Sequence, residues 1–600
     1  MLEGQLGPSH IVHPGTRPAR GGLTSDKAQP QEYSLTTHQH GPREAELRAK
    51  LHETFPGPGV PIPEDHHSPD QHDDELDVPL CSRRPVTDKV VFGVTAVIVA
   101  AILAWGLATP TGFKGTMTTI LNWVVTNLGW LFIISATCFV LFAFWLAFSK
   151  YGRIPLGQDG EKPDFHTVSW IAMMFSAGMG IGLIFWGVTE PLTHFVNPPP
   201  GLGDSKAGTA LATALFHWGF HPWSMYAVVG LSIAYGSYRM GRRQLISSAF
   251  IPLLGLKRVD GPIGKVIDIL AIFATMFGTA ASLGLGALQI GSGFEVVGWV
   301  EKAGTLLLVS VVAILTLAFV ASAVSGVSRG IQWLSNINMV LALVLAVFVF
   351  VAGPTVLILN LMPTALGDYA ANLAAMSARS AEDGADTEKW LSSWTIFYWA
   401  WWISWTPFVG MFLARISRGR SIRQFVVGVI LIPTTVSLLW FVVFGGAGIG
   451  QQRDGTDLYG SGEPESTLFG MLDHLPWAGF SSLLVMALVA IFFVSGADAA
   501  SMVMGTLSQS GSLFPSRWAV AFWGLSTGAV AVLMLWAGGN DALNGLQTMT
   551  IIVAAPFVVV MIGMCVSLYL DVSRDPLVAD LNSSGVPEAI IPITPTVGSR

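Results

Sequence analysis

Charge is scarce in this chain. Only 12% of its 600 residues are acidic or basic, against 52% hydrophobic ones and a mean hydropathy of +0.56. Soluble domains carry about 25% charged residues, so an ordinary globule is excluded. Cysteine is scarcer still: Cys81, Cys138 and Cys565 offer neither a disulfide framework nor a zinc spacing. A nucleophile–base or metal constellation at membrane depth is missing, the pair His217/His221 aside, so an enzyme is not expected. The formal charge of −7 sits mostly in tails and loops and gives no reason to expect a nucleic-acid partner. Residues 1–86 lack the apolar core of a signal peptide. Polar and rich in Pro, Gly and His, they read as a disordered cytoplasmic tail. Their run Glu64–Glu75 mixes His with Asp and Glu, which in such a tail is more often solvated than metal-bound.

What is abundant is apolar length. Stretches long enough to span a bilayer recur at about 90–109, 119–148, 169–190, 209–235, 264–292, 303–325, 332–358, 392–413, 424–449, 481–506, 516–537 and 545–570. The expectation is an all-α polytopic membrane protein with about twelve transmembrane helices. Basic residues mark alternate loops: Arg83, Arg84 and Lys89; Lys150 and Arg153; Arg239, Arg242 and Arg243; Arg329; Arg415 to Arg423; Arg517. The intervening loops are acidic, with Glu382, Asp383 and Asp386, then Asp454, Asp457 and Glu463. By the positive-inside rule both termini are expected in the cytoplasm of a cell whose plasma or inner membrane holds the chain.

Tryptophan is concentrated. Residues 394–405 hold five of the 21 in twelve positions without a charge. At helical spacing Phe397, Trp401 and Trp405 share a face, and Tyr398 and Trp402 stack one turn apart beside them. A wall of indole faces suits a cation that cannot donate hydrogen bonds, a quaternary ammonium above all. The alternative is an interfacial belt, although belts sit at segment ends. A second cluster, Trp218, Trp223 and Tyr226, lies around Pro222, which removes a backbone hydrogen bond and should bend that helix. His217 and His221 are one turn apart. With no Glu or Cys nearby in sequence, they read as hydrogen-bonded core histidines.

Between these clusters in importance stands Gly178-Met179-Gly180-Ile181-Gly182. Glycines at alternate positions weaken a helix by about 1 kcal/mol each. They serve either as a close-packing face or as an unwound point whose free N–H groups receive a carboxylate and whose carbonyls ligate a cation.

The motifs just quoted, with Thr189-Glu190-Pro191, Phe277-Gly278-Thr279, Leu283-Gly-Leu-Gly286 and Ala414-Arg415-Ile-Ser-Arg418-Gly-Arg420, resemble the betaine–choline–carnitine transporter (BCCT) family. Within it the pattern is closest to BetP-type glycine betaine symporters, over about residues 88–570. The resemblance implies a LeuT-like 5+5 inverted repeat preceded by two extra helices. The transporter domain would then be 87–570, with repeats at about 165–360 and 390–570, followed by a short cytoplasmic tail at 571–600. It further implies a homotrimer in contact with membrane lipids, and import of a trimethylammonium zwitterion with Na+ as coupling ion and no cofactor. Carried across, Trp218, Trp223, Tyr226 and Trp402 form the aromatic box. Phe397, Trp401 and Trp405 line the path, and Gly178, Gly180 and Gly182 serve the substrate. Choline-preferring relatives tend to carry Asp at the place of Gly182, so glycine here favours a zwitterion that brings its own carboxylate. Carnitine, ectoine, proline or choline uptake, proton-coupled or exchange transport, and a sensor on the same fold are the alternatives.

Two departures from the family pattern follow. One Na+ site would use Ser176 and Met179 with two neighbouring hydroxyls of the tenth span. This chain keeps Ser495 and loses the second hydroxyl to Gly496. A second site would use Thr275, Thr279 and Phe408, all retained. The other departure is the C-terminal tail, where osmosensing members are strongly basic. Here Arg574 and Arg600 face Asp571, Asp575, Asp580 and Glu588, too little positive charge to read an anionic membrane. Asp498, an ionisable group deep in span ten, is expected to hydrogen-bond to the span-eight backbone or Ser404.

Overall fold

The computed structural model describes residues 85–578, apart from residues 179, 204–205, 326–327, 461–462 and 539–541 and the side chains of 175–179 and 324–335. The described residues are almost entirely helical, with one isolated β-bridge between Pro155 and Ser421. The long helices are α1 (Lys89–Ala108), α2 (Pro110–Phe148), α3 (Thr167–Gly178), α4 (Ile181–Val196), α5 (Ala207–Trp218), α6 (Phe220–Ala234), α7 (Pro262–Val296) and α8 (Thr305–Ser325). They continue with α9 (Ser328–Ala352), α10 (Thr355–Ala378), α11 (Phe397–Ile416), α12 (Ile422–Arg453), α13 (Ala478–Ser508), α14 (Arg517–Gly538) and α15 (Ala542–Ser573).

Among the described residues, eight helices are long and apolar enough to cross a membrane, or nine if α9 and α10 count as one bent span. The chain is a multi-pass membrane protein. The hydropathy reading of about twelve spans adds three segments to these. Two of them, α3/α4 and α5/α6, are interrupted in the middle, and the third, α11, is made less hydropathic by its own tryptophans. Helix α10 had no counterpart in that reading. It turns away from the end of α9 by 109°, and its Asp368 and Thr364 approach Gly208 of α5. Apolar side chains such as Leu141 and Leu306 point outward, 65% and 80% exposed, as a lipid-facing surface requires.

The interior is assembled around α6, α7 and α11, and small residues set the approach distances. A Cβ on Gly410 of α11 would lie 3.1 Å from the backbone nitrogen of Gly230 on α6. On α7, a Cβ on Gly278 would collide with Ser404 and with Trp405 of α11. These contacts fix α11 against α6, the second half of one interrupted segment, and against the continuous helix α7. Where the chain leaves α6, Arg239 pairs with Asp575 at 3.0 Å and Arg242 with Asp571 at 2.7 Å. Asp571 and Asp575 are thus held by arginines of this chain.

Candidate functional site

The break between α5 and α6 builds one wall of the site. Proline has no N–H and crowds the carbonyl four residues back, which for Pro222 is that of Trp218. The helix stops there, four residues before the proline itself, with Gly219 as the joint (φ −104°, ψ −122°). Two carbonyls that a continuous helix would use are released. Ser437 of α12 donates to the Trp218 carbonyl at 3.1 Å, and Trp402 of α11 donates its indole N–H to the His217 carbonyl at 2.8 Å. A buried carbonyl left without a donor costs about 1–3 kcal/mol. The interruption and the aromatic wall therefore support each other.

The glycine run makes the second wall. Helix α3 ends at Gly178, Gly180 is extended, and α4 starts at Ile181. Unwinding and close packing, the two alternatives for this run, coexist. The first-turn N–H groups of α4 are freed at the break. A Cβ on Gly182 would fall 2.6 Å from Cη2 of Trp401 and 2.8 Å from Cη2 of Trp218.

Helix α11 supplies the third wall, with the stacking its spacing implies. Phe397 stacks on Trp401 at 5.6 Å, and Tyr398 stacks on Trp402 at 6.1 Å. Trp399, Trp401 and Trp402 are 1%, 2% and 7% exposed, so the run is no interfacial belt. A cavity of about 30 Å³ is lined by Gly180, Gly182, Trp218, Pro222, Trp223, Tyr226, Trp401, Trp402, Trp405 and Ser437. All four box rings meet there. Trp218 lies edge to face on Trp402 at 4.7 Å, Tyr226 on Trp402 at 6.3 Å, and Trp223 on Tyr226 at 5.3 Å. That volume suits a water or two rather than a trimethylammonium group, so rings now in mutual contact must part to admit one. Phe397 stands behind Trp401 and does not line the cavity, while the surroundings of Gly178 lie outside the described residues. Pro222 and Ser437 are additions to the expected set.

Below the box lies a buried polar cluster. Glu190 of α4 is fully buried. Its Oε2 accepts from Trp218 Nε1 at 2.8 Å and Tyr398 OH at 2.6 Å, and its Oε1 lies 2.6 Å from His217 Nδ1. Thr395 Oγ1 is 3.0 Å from His217 Nε2. His217 is thus a hydrogen-bonded core histidine, as expected, but its partner is a carboxylate that its sequence neighbours do not include, because the fold carries Glu190 across from another helix. Glu190, His194 and His217 even offer three ligand-type atoms within 4.8 Å. Both Glu190 oxygens, however, are already engaged. His221 stacks on Trp399 at 5.0 Å, as a core histidine would. Of the two partners expected for Asp498, the span-eight backbone or Ser404, the latter is otherwise engaged: Ser404 donates its hydroxyl to the Trp401 carbonyl at 2.6 Å. A charged residue inside a span is a functional candidate by default, and that signal could have singled out Glu190.

The cation-ligand candidates fall on three helices. Thr275 and Thr279 are buried one turn apart on α7, the helix whose Gly278 packs on α11, and Phe408 lies 5.8 Å from Trp405 on α11. Ser495 is on α13, its hydroxyl donated to the Phe492 carbonyl at 3.4 Å. The Ser176 side chain and Met179 lie outside the described residues.

Comparison with known proteins matches residues 90–577 to the betaine/carnitine/choline family transporter model. The chain is 45% identical to the betaine/ectoine transporter LcoP of Corynebacterium glutamicum, over 82% of this chain and 78% of that one. It is 43% identical to the glycine betaine transporter OpuD of Bacillus subtilis (81% and 94% covered). With glycine betaine transporter 1 of Vibrio parahaemolyticus the identity is 40% (81% and 94%). A family match over most of the chain, reinforced by relatives this similar, places a non-enzymatic membrane carrier behind the aromatic cavity: the chain belongs to the betaine/carnitine/choline transporter family.

Proposed function

We propose that the chain imports a quaternary-ammonium zwitterion, glycine betaine first, by Na+ symport with alternating access. The observation that carries this reading is the convergence of four aromatic rings and the start of α4 on one cavity. Ring faces attract a methylated nitrogen, and a helix N-terminus attracts a carboxylate. The relatives' names point to the same solutes, glycine betaine and ectoine. In this reading α3/α4 and α5/α6 are each one broken span. Together with α1, α2, α7, α8, α9 and α11–α15 they make twelve, arranged as a 5+5 inverted repeat after α1 and α2. Both termini are cytoplasmic, and the assembly is a homotrimer in lipid. Na+ is held by Thr275, Thr279 and Phe408, and by Ser495 with backbone of the α3/α4 break.

Labelled glycine betaine uptake into proteoliposomes tests this, with an inward Na+ gradient set against equal K+ or H+ gradients and with choline and ectoine as competitors. Uphill uptake under Na+ alone is expected. Betaine binding without Na+-dependent accumulation would instead favour exchange, proton coupling or sensing.

Gly182 gives a sharper check. The Cβ of Gly182→Ala would press on the tips of two packed indoles, and overpacking of this kind costs about 1–3 kcal/mol. Uptake kcat/KM should fall about tenfold or more, with Gly182→Asp worse for betaine. Unchanged kinetics in the alanine variant would mean that the contact of α4 with the box is not kept in the transporting states.

A further inference from the structure

We propose that Glu190 is a positioning and charge-tuning residue for the aromatic box, setting its preference for a cationic head over a neutral group of the same shape. This rests on the reading of the box as the ammonium site. Trp218 is the box ring nearest to Glu190 in bonding terms, since its only polar hydrogen, Nε1–H, is donated to Oε2 at 2.8 Å. That bond fixes the plane of the indole. It also places a negative charge on the ring's N–H edge, which pushes electron density toward the π face that a cation would meet.

The partners can support an ionised carboxylate. Trp218 can only donate, and Tyr398 OH reaches the same Oε2 at 2.6 Å. His217 presents Nδ1 to Oε1 at 2.6 Å, while Thr395 Oγ1 lies beside Nε2 at 3.0 Å. In the tautomer with Nδ1–H donated and Nε2 accepting from Thr395, the set is a neutral imidazole and an ionised carboxylate, the form that this tuning requires. His194 Nε2 is a fourth neighbour of the carboxylate, 3.5 Å from Oε1. Arg379, a cation on the far side of the two imidazoles, stacks on Trp390 at 4.7 Å, and the Trp390 ring lies 5.6 and 6.0 Å from the rings of His194 and His217. The cation is thus screened from Glu190 by an aromatic ring and two imidazoles. Among the described residues, the hydrogen bonds to Oε2, on the box side, come from Trp218 and Tyr398.

The same group reaches a second box wall. His217 is held by Glu190 through its ring and, through its backbone carbonyl, accepts the Trp402 indole N–H at 2.8 Å. One carboxylate therefore determines the orientation of Trp218 directly and of Trp402 at one remove. An ordinary buried hydrogen-bond hub would be satisfied by a neutral amide. A charge-tuning residue would not.

The test compares glycine betaine with 3,3-dimethylbutanoate, in which a neutral quaternary carbon replaces the nitrogen, as competitors of labelled betaine uptake in proteoliposomes. In the unaltered protein betaine should compete far better than the neutral isostere. If it does not, the ammonium-site reading of the box fails whatever Glu190 does. In Glu190→Gln, close in shape but uncharged, the ratio of the two inhibition constants should shrink about tenfold, and Glu190→Asp should recover part of it. Equal losses for both competitors would overturn the proposal and leave Glu190 as packing alone. Should Glu190→Gln fail to fold, Trp218→Phe keeps a ring and removes the N–H that Glu190 accepts. It should shrink the ratio in the same direction, and an unchanged ratio there would equally overturn the proposal.

Discussion

Replacing Trp402 with alanine lowers betaine uptake kcat/KM roughly a hundredfold, the larger part in KM. Two effects combine. A desolvated cation–π contact contributes about 2 kcal/mol, which is about thirtyfold in affinity. The indole also fills the centre of the box, where it contacts Trp218 at 4.7 Å and stacks on Trp401 at 5.0 Å, and its N–H satisfies the His217 carbonyl. Truncation leaves that carbonyl without its donor and lets Trp218 drift. The alanine variant alone does not separate these effects, so two companions are needed. Trp402→Phe keeps a π face and loses the N–H; Trp402→Leu keeps apolar volume and loses the face. Uptake kinetics should rank Phe above Leu above Ala. If Leu equals or exceeds Phe, the face of Trp402 does not meet the ammonium.

Much of this site was legible in the sequence, for a physical reason. Helical periodicity alone places Phe397, Trp401 and Trp405 on one face and Tyr398 over Trp402, and the structure shows both stacks. Trp218, Trp223 and Tyr226 were likewise local to one segment. What periodicity could not convey is contact across helices. Glu190 is distant in sequence from Tyr398, yet they share a hydrogen bond, and nothing in the spacing of either helix implies it. Ser437 was hidden in the same way, as one hydroxyl in an apolar run. The joint at Gly219 also escaped, because attention goes to the proline, whereas the damage proline does falls one turn earlier. Helix α10 escaped because Asn360, Asp368 and Asn372 interrupt its apolar residues and it is bent from its neighbour, so hydropathy reads it as a loop. The count of spans suffers from the same cause as the site itself: glycine breaks and tryptophans, placed for function, lower the signal by which spans are recognised.

Gly496→Ser is expected to raise the apparent Na+ affinity about tenfold and the steady-state betaine accumulation by up to two orders of magnitude. With about 100 mV inside-negative and a tenfold gradient, one Na+ supplies roughly 3.7 kcal/mol. That sustains about 500-fold accumulation, and a second ion would raise the limit to about 10⁵-fold. On the proposed coupling, one ion sits between the α3/α4 break and α13, where Ser495 offers its hydroxyl and Gly496 offers none. A hard cation that sheds its water wants about six oxygens, so one missing ligand makes that site the weaker of the two. The position can take the change. Helix α13 runs unbroken from Ala478 to Ser508, and a Cβ on Gly496 would meet no heavy atom within 4 Å. Serine there adds a ligand without displacing a neighbour, and it favours the helix by a few tenths of a kcal/mol over glycine. Gly496→Ala separates the two contributions, since it stiffens the helix and supplies no oxygen. Uptake measured against Na+ concentration should show a lower half-saturation and a steeper curve for serine, with alanine matching the unaltered chain. If serine and alanine behave alike, position 496 does not face an ion, and the coupling must be carried by Thr275 and Thr279 alone.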